Sequence, residues 1–331
     1  MCAGVWALSG CFFEPALPKL LNTYGTRLAT LLEANAPPCC NTPSLPSIPT
    51  LENSAKEVTI ELRTFYALRH CDVYSLVAER NTALGKLQSP SQRYLYELAL
   101  LQGLARCQSQ LNDNNIKAEI DTWIEQKQTQ LPLSFANLMH STEIRHSLAL
   151  GNGYIDGEED GLSQSMAGYQ YLQSLRDPGP GWENNHKLET HLQQLQRQAL
   201  PARMFRSSLL ISEQLERITA MLHEQAPQCS TPQEKQKAEY LVNVFKLFFI
   251  DSLQPMAGKL NHYHHQLIPV LKKLTADNPN LGPLQLWIAA RYQQDFSNYQ
   301  DQWQKHVQWW QAFLKRCELK APFPNNALAP G

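Results

Sequence analysis

Apolar positions recur at helical spacing along almost the whole chain. Over residues 15–34, Leu17, Leu20, Leu21, Tyr24, Leu28, Leu31 and Leu32 step by three and four and define one face of a helix. Residues 36–49 then carry Pro37, Pro38, Pro43, Pro46 and Pro49, a density that stops a helix and favours an extended linker or strap. From Leu51 onward the pattern predicts helices over 55–84, 91–111, 114–130, 134–150, 162–176, 185–199, 202–225 and 232–253. The last of these opens on Thr231-Pro232-Gln233-Glu234, a capping box with proline at the first helical position. It is expected to kink or restart at Pro255, with Pro269 inside the next apolar pattern and Asn278-Pro279-Asn280 ending it. Further helices fill 283–317. The glycines of 151–161 and the Asp177-Pro-Gly-Pro-Gly181 run mark loops. Alternating β-branched runs are absent. The expected fold is all-α, an irregular multi-helix bundle of about ten helices with no significant sheet. The expected layout is a leading segment at 1–10, a first helix within 11–35, the strap at 36–50, one helical domain at 51–320 and a tail at 321–331.

Three helices show more than burial. On the last one Phe296, Tyr299, Trp303, Val307, Trp310, Leu314 and Cys317 make a core stripe, and Trp309 falls about 120° from its centre. Core packing accounts for the aromatics; an exposed Trp309 would instead belong to a partner or glycan surface. On 55–84, Val58, Leu62, Phe65, Val73 and Leu76 share a stripe with Arg69 and Arg80, and Asp72 lies beside it. A guanidinium facing a core needs a carboxylate or carbonyl partner, for which Glu79 and Glu97 are candidates. The next helix carries two stripes, Tyr94/Leu98/Leu101/Ala105 and Leu100/Leu104/Cys107/Leu111, and is expected to be buried on both sides. Two readings follow for Arg69, Glu79, Arg80, Asn81, Gln92, Arg93 and Glu97. One is an ion-pair network that fixes the hairpin. The other is a polar pocket for an anionic or sugar-like ligand.

Composition narrows the class. The chain has 331 residues and a net charge of −1, which argues against a nucleic-acid binder that relies on a basic surface. Only 18% of residues are charged, yet 30 are glutamine, which gives helices a polar face without charge. No run of 18 apolar residues occurs, so no internal membrane-spanning helix is expected. The start, MCAGVWALSGCFF, is different: Leu8-Ser9-Gly10-Cys11 resembles the bacterial lipobox, which makes 1–10 a partial signal segment expected to be cleaved, Cys11 the candidate lipidated residue and 11–35 the lipid anchor with the first helix. No Lys or Arg precedes Cys11, so the segment is expected to be part of a longer signal or to start at an internal Met. Phe12, where an Asp would favour inner-membrane retention, points to the outer membrane facing the periplasm.

Residues 61–107, ELRTFYALRHCDVYSLVAERNTALGKLQSPSQRYLYELALLQGLARC, carry LRxC, AERNxxLGK, SPSQRxLYEL and a closing Cys in that order. This arrangement resembles a family of Gram-negative lipoproteins known only as a domain of unknown function. AEYLVNVFKLFFIDSLQP and HVQWWQAFLKRC look like its C-terminal half. The resemblance implies an anchored, mostly helical envelope protein and implies no reaction.

With Cys2 removed and Cys11 lipidated, Cys39, Cys40, Cys71, Cys107, Cys229 and Cys317 remain, and an oxidising periplasm invites disulfides. Cys71 and Cys107 lie on consecutive antiparallel helices at matching distances from the turn and are expected to bridge. Cys229, before one long helix, and Cys317, ending the last, are the natural second pair. Cys39-Cys40 leaves open a vicinal bridge, free thiols or a link to another chain. No metal centre is expected: the cysteine spacings do not suit zinc, and His262, His264 and His265 have no acidic ligand one turn away. Asp156-x-Glu158-x-Asp160-Gly161 begins like an EF-hand loop, but Ala167 stands where the bidentate Glu is required. Nucleophile elbow, P-loop and HExxH motifs are missing. No cofactor is expected. The partners expected are the membrane, through the lipid, and an envelope protein; nucleic acid is not one. The function expected is that of a non-enzymatic helical interaction or assembly factor, with a ligand-binding or enzymatic lipoprotein using the 55–111 pocket as the alternative.

Overall fold

A computed structural model describes residues 16–40, 45–51, 65, 66, 68–82, 87–156, 161–178 and 187–321. Among them the chain is all-α, with no strand. Helix α1 (Ala16–Leu32) buries Leu17, Leu21, Tyr24 and Leu28, the face its spacing predicts. The strap follows in non-helical conformation along the surface. Arg217 donates to the Pro38 carbonyl at 2.7 Å, and Arg145 donates to those of Pro49 and Ile48 at 2.7 and 3.2 Å. Proline-rich backbone has few amide donors of its own, so arginines from the body satisfy its carbonyls.

The helix expected over 55–84 is broken within its described part. A 3₁₀ turn (Leu68–His70) precedes the short α2 (Val73–Arg80). Leu68, Cys71, Val73 and Val77 all enter one apolar cluster with Leu100, Leu104, Cys107 and Ile120. A continuous helix would set Cys71 and Val73 about 200° apart, so only a bend there lets both face the same neighbour. The same bend turns Arg69 outward.

Helices α3 (Pro90–Gln110) and α4 (Asn114–Met139) form an antiparallel hairpin that joins two cores. Ser89 caps α3, accepting from the Gln92 amide, and Asp113 caps α4, accepting from those of Asn115 and Ile116. Tyr94, Leu98, Phe135 and Leu138 belong to the main core, whereas Leu100, Leu104, Cys107 and Ile120 belong to the smaller cluster. The two stripes of α3 are therefore used in succession, and Ala105 is exposed. Helix α4 also runs through Pro132, where the sequence suggested a break between 130 and 134. The interruption comes instead at His140 and Ser141, before α5 (Thr142–Leu148).

Helix α6 (Leu162–Arg176) packs on α7 (Leu188–Gln198) across Gly168, where an added Cβ would meet Leu195 Cγ at 2.7 Å. A single left-handed residue, Ala199 (φ 44°), separates α7 from α8 (Leu200–Gln225). Helix α9 (Pro232–Val244) opens on its capping box and passes through a π-helical segment (Phe245–Leu253) into α10 (Gln254–Thr275). The expected kink at Pro255 is replaced by this widened turn. It sits just before the position where an α-helical carbonyl four residues back would meet the proline ring. Helix α11 (Gly282–Ala289) likewise continues through a π segment (Ala290–Asp295) into α12 (Phe296–Arg316).

Helices α8 and α12 run parallel. Asn298 donates to Ser212 Oγ at 2.8 Å, His306 meets Thr219 at 2.8 Å and Cys317 bonds Cys229, at chain separations of 86, 87 and 88 residues. A nearly constant offset of this kind holds only when two helices advance in the same direction. No helix among the described residues is long and apolar enough to cross a membrane.

Candidate functional site

The six described cysteines all stand in disulfide pairs. Cys71 and Cys107 lie with Cα atoms 5.3 Å apart, Cys229 and Cys317 with theirs 5.2 Å apart, and Cys39 is bridged to its neighbour Cys40. Of the alternatives left open for Cys39-Cys40, the structure has the vicinal bridge. Cys11, the candidate lipidation residue, lies outside the described residues, as do Glu158 and Asp160 of the acidic loop. Asp156 pairs with Arg203 at 3.2 Å.

The polar set on the first hairpin is dispersed. Arg69, Glu79, Asn81 and Gln92 are exposed, and Arg80 is half-buried. Arg69 donates to the ring of its neighbour His70 at 2.9 Å rather than to a carboxylate. Glu97 alone of the set is buried, and it accepts from Arg93 and Lys127, each at 2.8 Å. Lys127 is as deeply buried as Glu97. The pair lies on the α3–α4 seam between the two cores, a place where two charges can share one desolvated contact. Lys127 escaped the sequence reading because nothing in a string of alternating polar residues shows that one lysine faces inward.

The histidine cluster of α10 is also divided. His262 and His265 are exposed. His264 stacks on Phe296, ring centroids 3.5 Å apart, and burial pushes its pKa down to about 4. Among the described residues no three His, Cys, Asp or Glu side chains are grouped as metal ligands.

A different histidine organises the centre of the protein. His306 on α12 is fully buried, amid Phe245 and Phe249 of the first π segment, Tyr24 and Trp310. Thr219 on α8 donates its hydroxyl hydrogen to the Leu215 carbonyl at 2.6 Å, so its oxygen accepts from His306 Nδ1 at 2.8 Å. His306 Nε2 is thereby left as an acceptor. It receives the Tyr24 hydroxyl at 2.8 Å and shares the Trp310 indole N–H, at 3.1 Å, with the Tyr24 oxygen at 3.2 Å. The ring is neutral, with its proton on Nδ1 and both nitrogens satisfied. Burial holds the His306 pKa down to about 3 and lifts the Tyr24 phenol well above its usual value, against a smaller opposing effect of the Trp310 hydrogen bond. Such a histidine carries no positive charge at neutral pH and works as a structural pin joining α1, α8 and α12.

Directly outside this pin lies a groove of about 520 Å³ between α8 and α12. Glu216, Thr219 and His223 line it from one turn after another of α8, and Gln302, Lys305 and Trp309 line it from α12. Trp309 is not the exposed aromatic that its angle on the helix allowed. It is 8% exposed, stacked on Phe313 at 5.0 Å and perpendicular to Trp310, because α12 is covered by α8 as well as by the aromatic core. Gln302 is also only 8% exposed as a residue, but its carboxamide, which makes no hydrogen bond within the described residues, opens to the groove instead of being buried. The groove assembles from two helices whose lining residues are 79 or more positions apart, with no local motif to announce it.

The model of one protein family, described as Protein of unknown function (DUF3080), matches residues 21–321. No curated protein and no solved structure matches the chain. The family match spans all of the described body from the middle of α1 to the end of α12, including both interhelical disulfides, and on that ground the chain belongs to the DUF3080 family of proteins of unknown function.

Proposed function

We propose that this chain is a lipid-anchored protein of the Gram-negative envelope, held in the outer membrane through Cys11 and facing the periplasm, where its helical body acts as a non-enzymatic interaction or assembly factor. The observation that carries the reading is the state of the cysteines. Every described cysteine is paired, and two of the pairs span 36 and 88 residues of chain. Disulfides of this kind form and persist in oxidising compartments such as the periplasm. The lipobox-like Leu8-Ser9-Gly10-Cys11 then supplies the anchor, and multiple acyl chains bind a bilayer far more firmly than one.

The non-enzymatic part rests on the interior. The buried His306 ring and the buried Glu97–Lys127 pair have their polar atoms committed to partners within the protein. Metabolic labelling with palmitate, followed by membrane fractionation and maleimide trapping of unfolded, unreduced protein, tests the proposal. Label that is lost in Cys11→Ala, together with thiols that resist maleimide until reduced, is the expected result. Absence of label at Cys11 with all six other thiols reactive would instead identify a cytosolic helical protein. Crosslinking in intact envelopes tests the interaction role, the expected result being a specific envelope protein joined to the body.

A further inference from the structure

We infer that the α8–α12 groove is a saccharide-binding site, taking a neutral mono- or disaccharide unit against the Gln302 carboxamide and Trp309. The first ground is Gln302. Most of the Gln302 side chain is buried, but its carboxamide is not one of the buried polar atoms left without a partner: it opens to the groove. It makes no hydrogen bond within the described residues, so its donors and acceptor are available there to a ligand. It offers a donor and an acceptor side by side, and adjacent sugar hydroxyls, each able to donate and accept, match that pair.

The rim chemistry points the same way. Glu216, His223 and Gln308 add one acceptor and two groups that both donate and accept. The Lys305 ammonium is held by Asp301 at 2.6 Å, so the groove presents no free cationic cluster for an anion. Trp309 gives the floor an apolar surface beside these polar groups, the mixture found in small-ligand sites. The volume lies within the usual range of such sites, about 300–1,000 Å³. Both walls are helices whose backbone groups are spent internally, so there is no sheet edge to which a peptide main chain could add.

The walls are also fixed in advance. The Cys229–Cys317 bridge closes one end and the Asn298–Ser212 hydrogen bond ties the other. The Thr219 hydroxyl under the floor is fully committed to Leu215 and His306. A pre-organised groove loses little ordering entropy on binding, which favours even a small ligand.

The test is calorimetric titration and saturation-transfer NMR on the full chain in detergent, with chitobiose, cellobiose and, as a peptide, trialanine. The expected result is saturable binding of at least one disaccharide with a dissociation constant on the order of 1 mM. It should weaken about tenfold in Gln302→Leu, the loss of one or two hydrogen bonds. Glu216→Ala, at an exposed position, makes the same comparison without altering a buried residue and should weaken binding too. No saturable binding of either sugar, equal binding in both variants, or binding of trialanine in place of the sugars would overturn the assignment. The groove does not depend on the anchor. Failed lipidation leaves this measurement intact, and failed sugar binding leaves the palmitate result intact.

Discussion

Lowering the pH should destabilise this protein through His306. In the unfolded chain the imidazole titrates near 6.5; in the native state burial among aromatic rings holds it down to about 3. Between those values the unfolded state binds a proton that the native state refuses, so stability falls as pH falls, by about 1.4 kcal/mol per pH unit. The contribution is fully present above pH 6.5 and is lost progressively towards pH 3. From pH 7 to pH 4.5 the loss attributable to His306 is about 2–3 kcal/mol. Among the described residues no charged side chain touches the ring to offset it: its neighbours are Tyr24 from α1, Thr219 from α8, Phe245 and Phe249 from the π segment, and Trp310 from its own helix. His306→Gln keeps a donor and an acceptor in the same cavity and removes the titration. Urea unfolding at pH 7 and pH 4.5, disulfides intact, measures both proteins. Half-buried His264 is lowered in the same direction but is common to the two and cancels in the difference. The stability advantage of the parent over the variant should shrink by about 2–3 kcal/mol between the two pH values. An advantage that stays constant would mean that His306 protonates as readily in the native state as in the unfolded chain, and would refute the buried, hydrogen-bonded assignment.

Three further outcomes are expected. Replacing Cys229 and Cys317 by serine should cost about 4–5 kcal/mol in thermal unfolding, somewhat more than replacing Cys71 and Cys107 at about 4 kcal/mol, because the first pair closes 88 residues and the second 36. Glu97→Gln should destabilise by about 3–5 kcal/mol because it strands the Lys127 ammonium in the seam, whereas Arg93→Ala, at a partly exposed guanidinium, should cost about 1 kcal/mol or less; urea midpoints separate the two. Gly168→Ala should lower the melting temperature, with an over-packing cost of about 1–3 kcal/mol, since its methyl would meet Leu195 Cγ at 2.7 Å.

Much of the architecture can be read from local pattern. The α1 stripe, the capping box of α9 and the core face of α12 from Phe296 to Leu314 are periodic features, and periodicity reports which side of a helix is buried. The same logic misplaces boundaries wherever a neighbour overrides the local preference. Pro132 and Pro255 look like stops, yet α4 continues and α9 widens into a π segment before Pro255, because packing on both sides stabilises these helices more than one proline destabilises them. The region 55–84 looks like a single helix, yet the joint burial of Cys71 and Val73 against α3 requires a bend.

The candidate sites divide along the same line. The hairpin polar set is conspicuous in sequence because arginines sit on an apolar stripe, but a stripe is meaningful only if the helix is continuous, and the bend exposes Arg69. Lys127, His306, Gln302 and Thr219 carry no local sign, since each is one polar residue on a mostly polar or mostly aromatic helix. By itself the sequence determined the all-α class, the sides of most helices that face inward and the cysteines available for pairing, because those follow from spacing and residue type within a turn or two. Only the tertiary structure decided that α8 and α12 run parallel, that His306 is pinned neutral between three helices, and that Gln302 opens onto a groove beside Trp309. Those facts depend on contacts between residues 86 to 282 positions apart, and no local free energy encodes which of them meet.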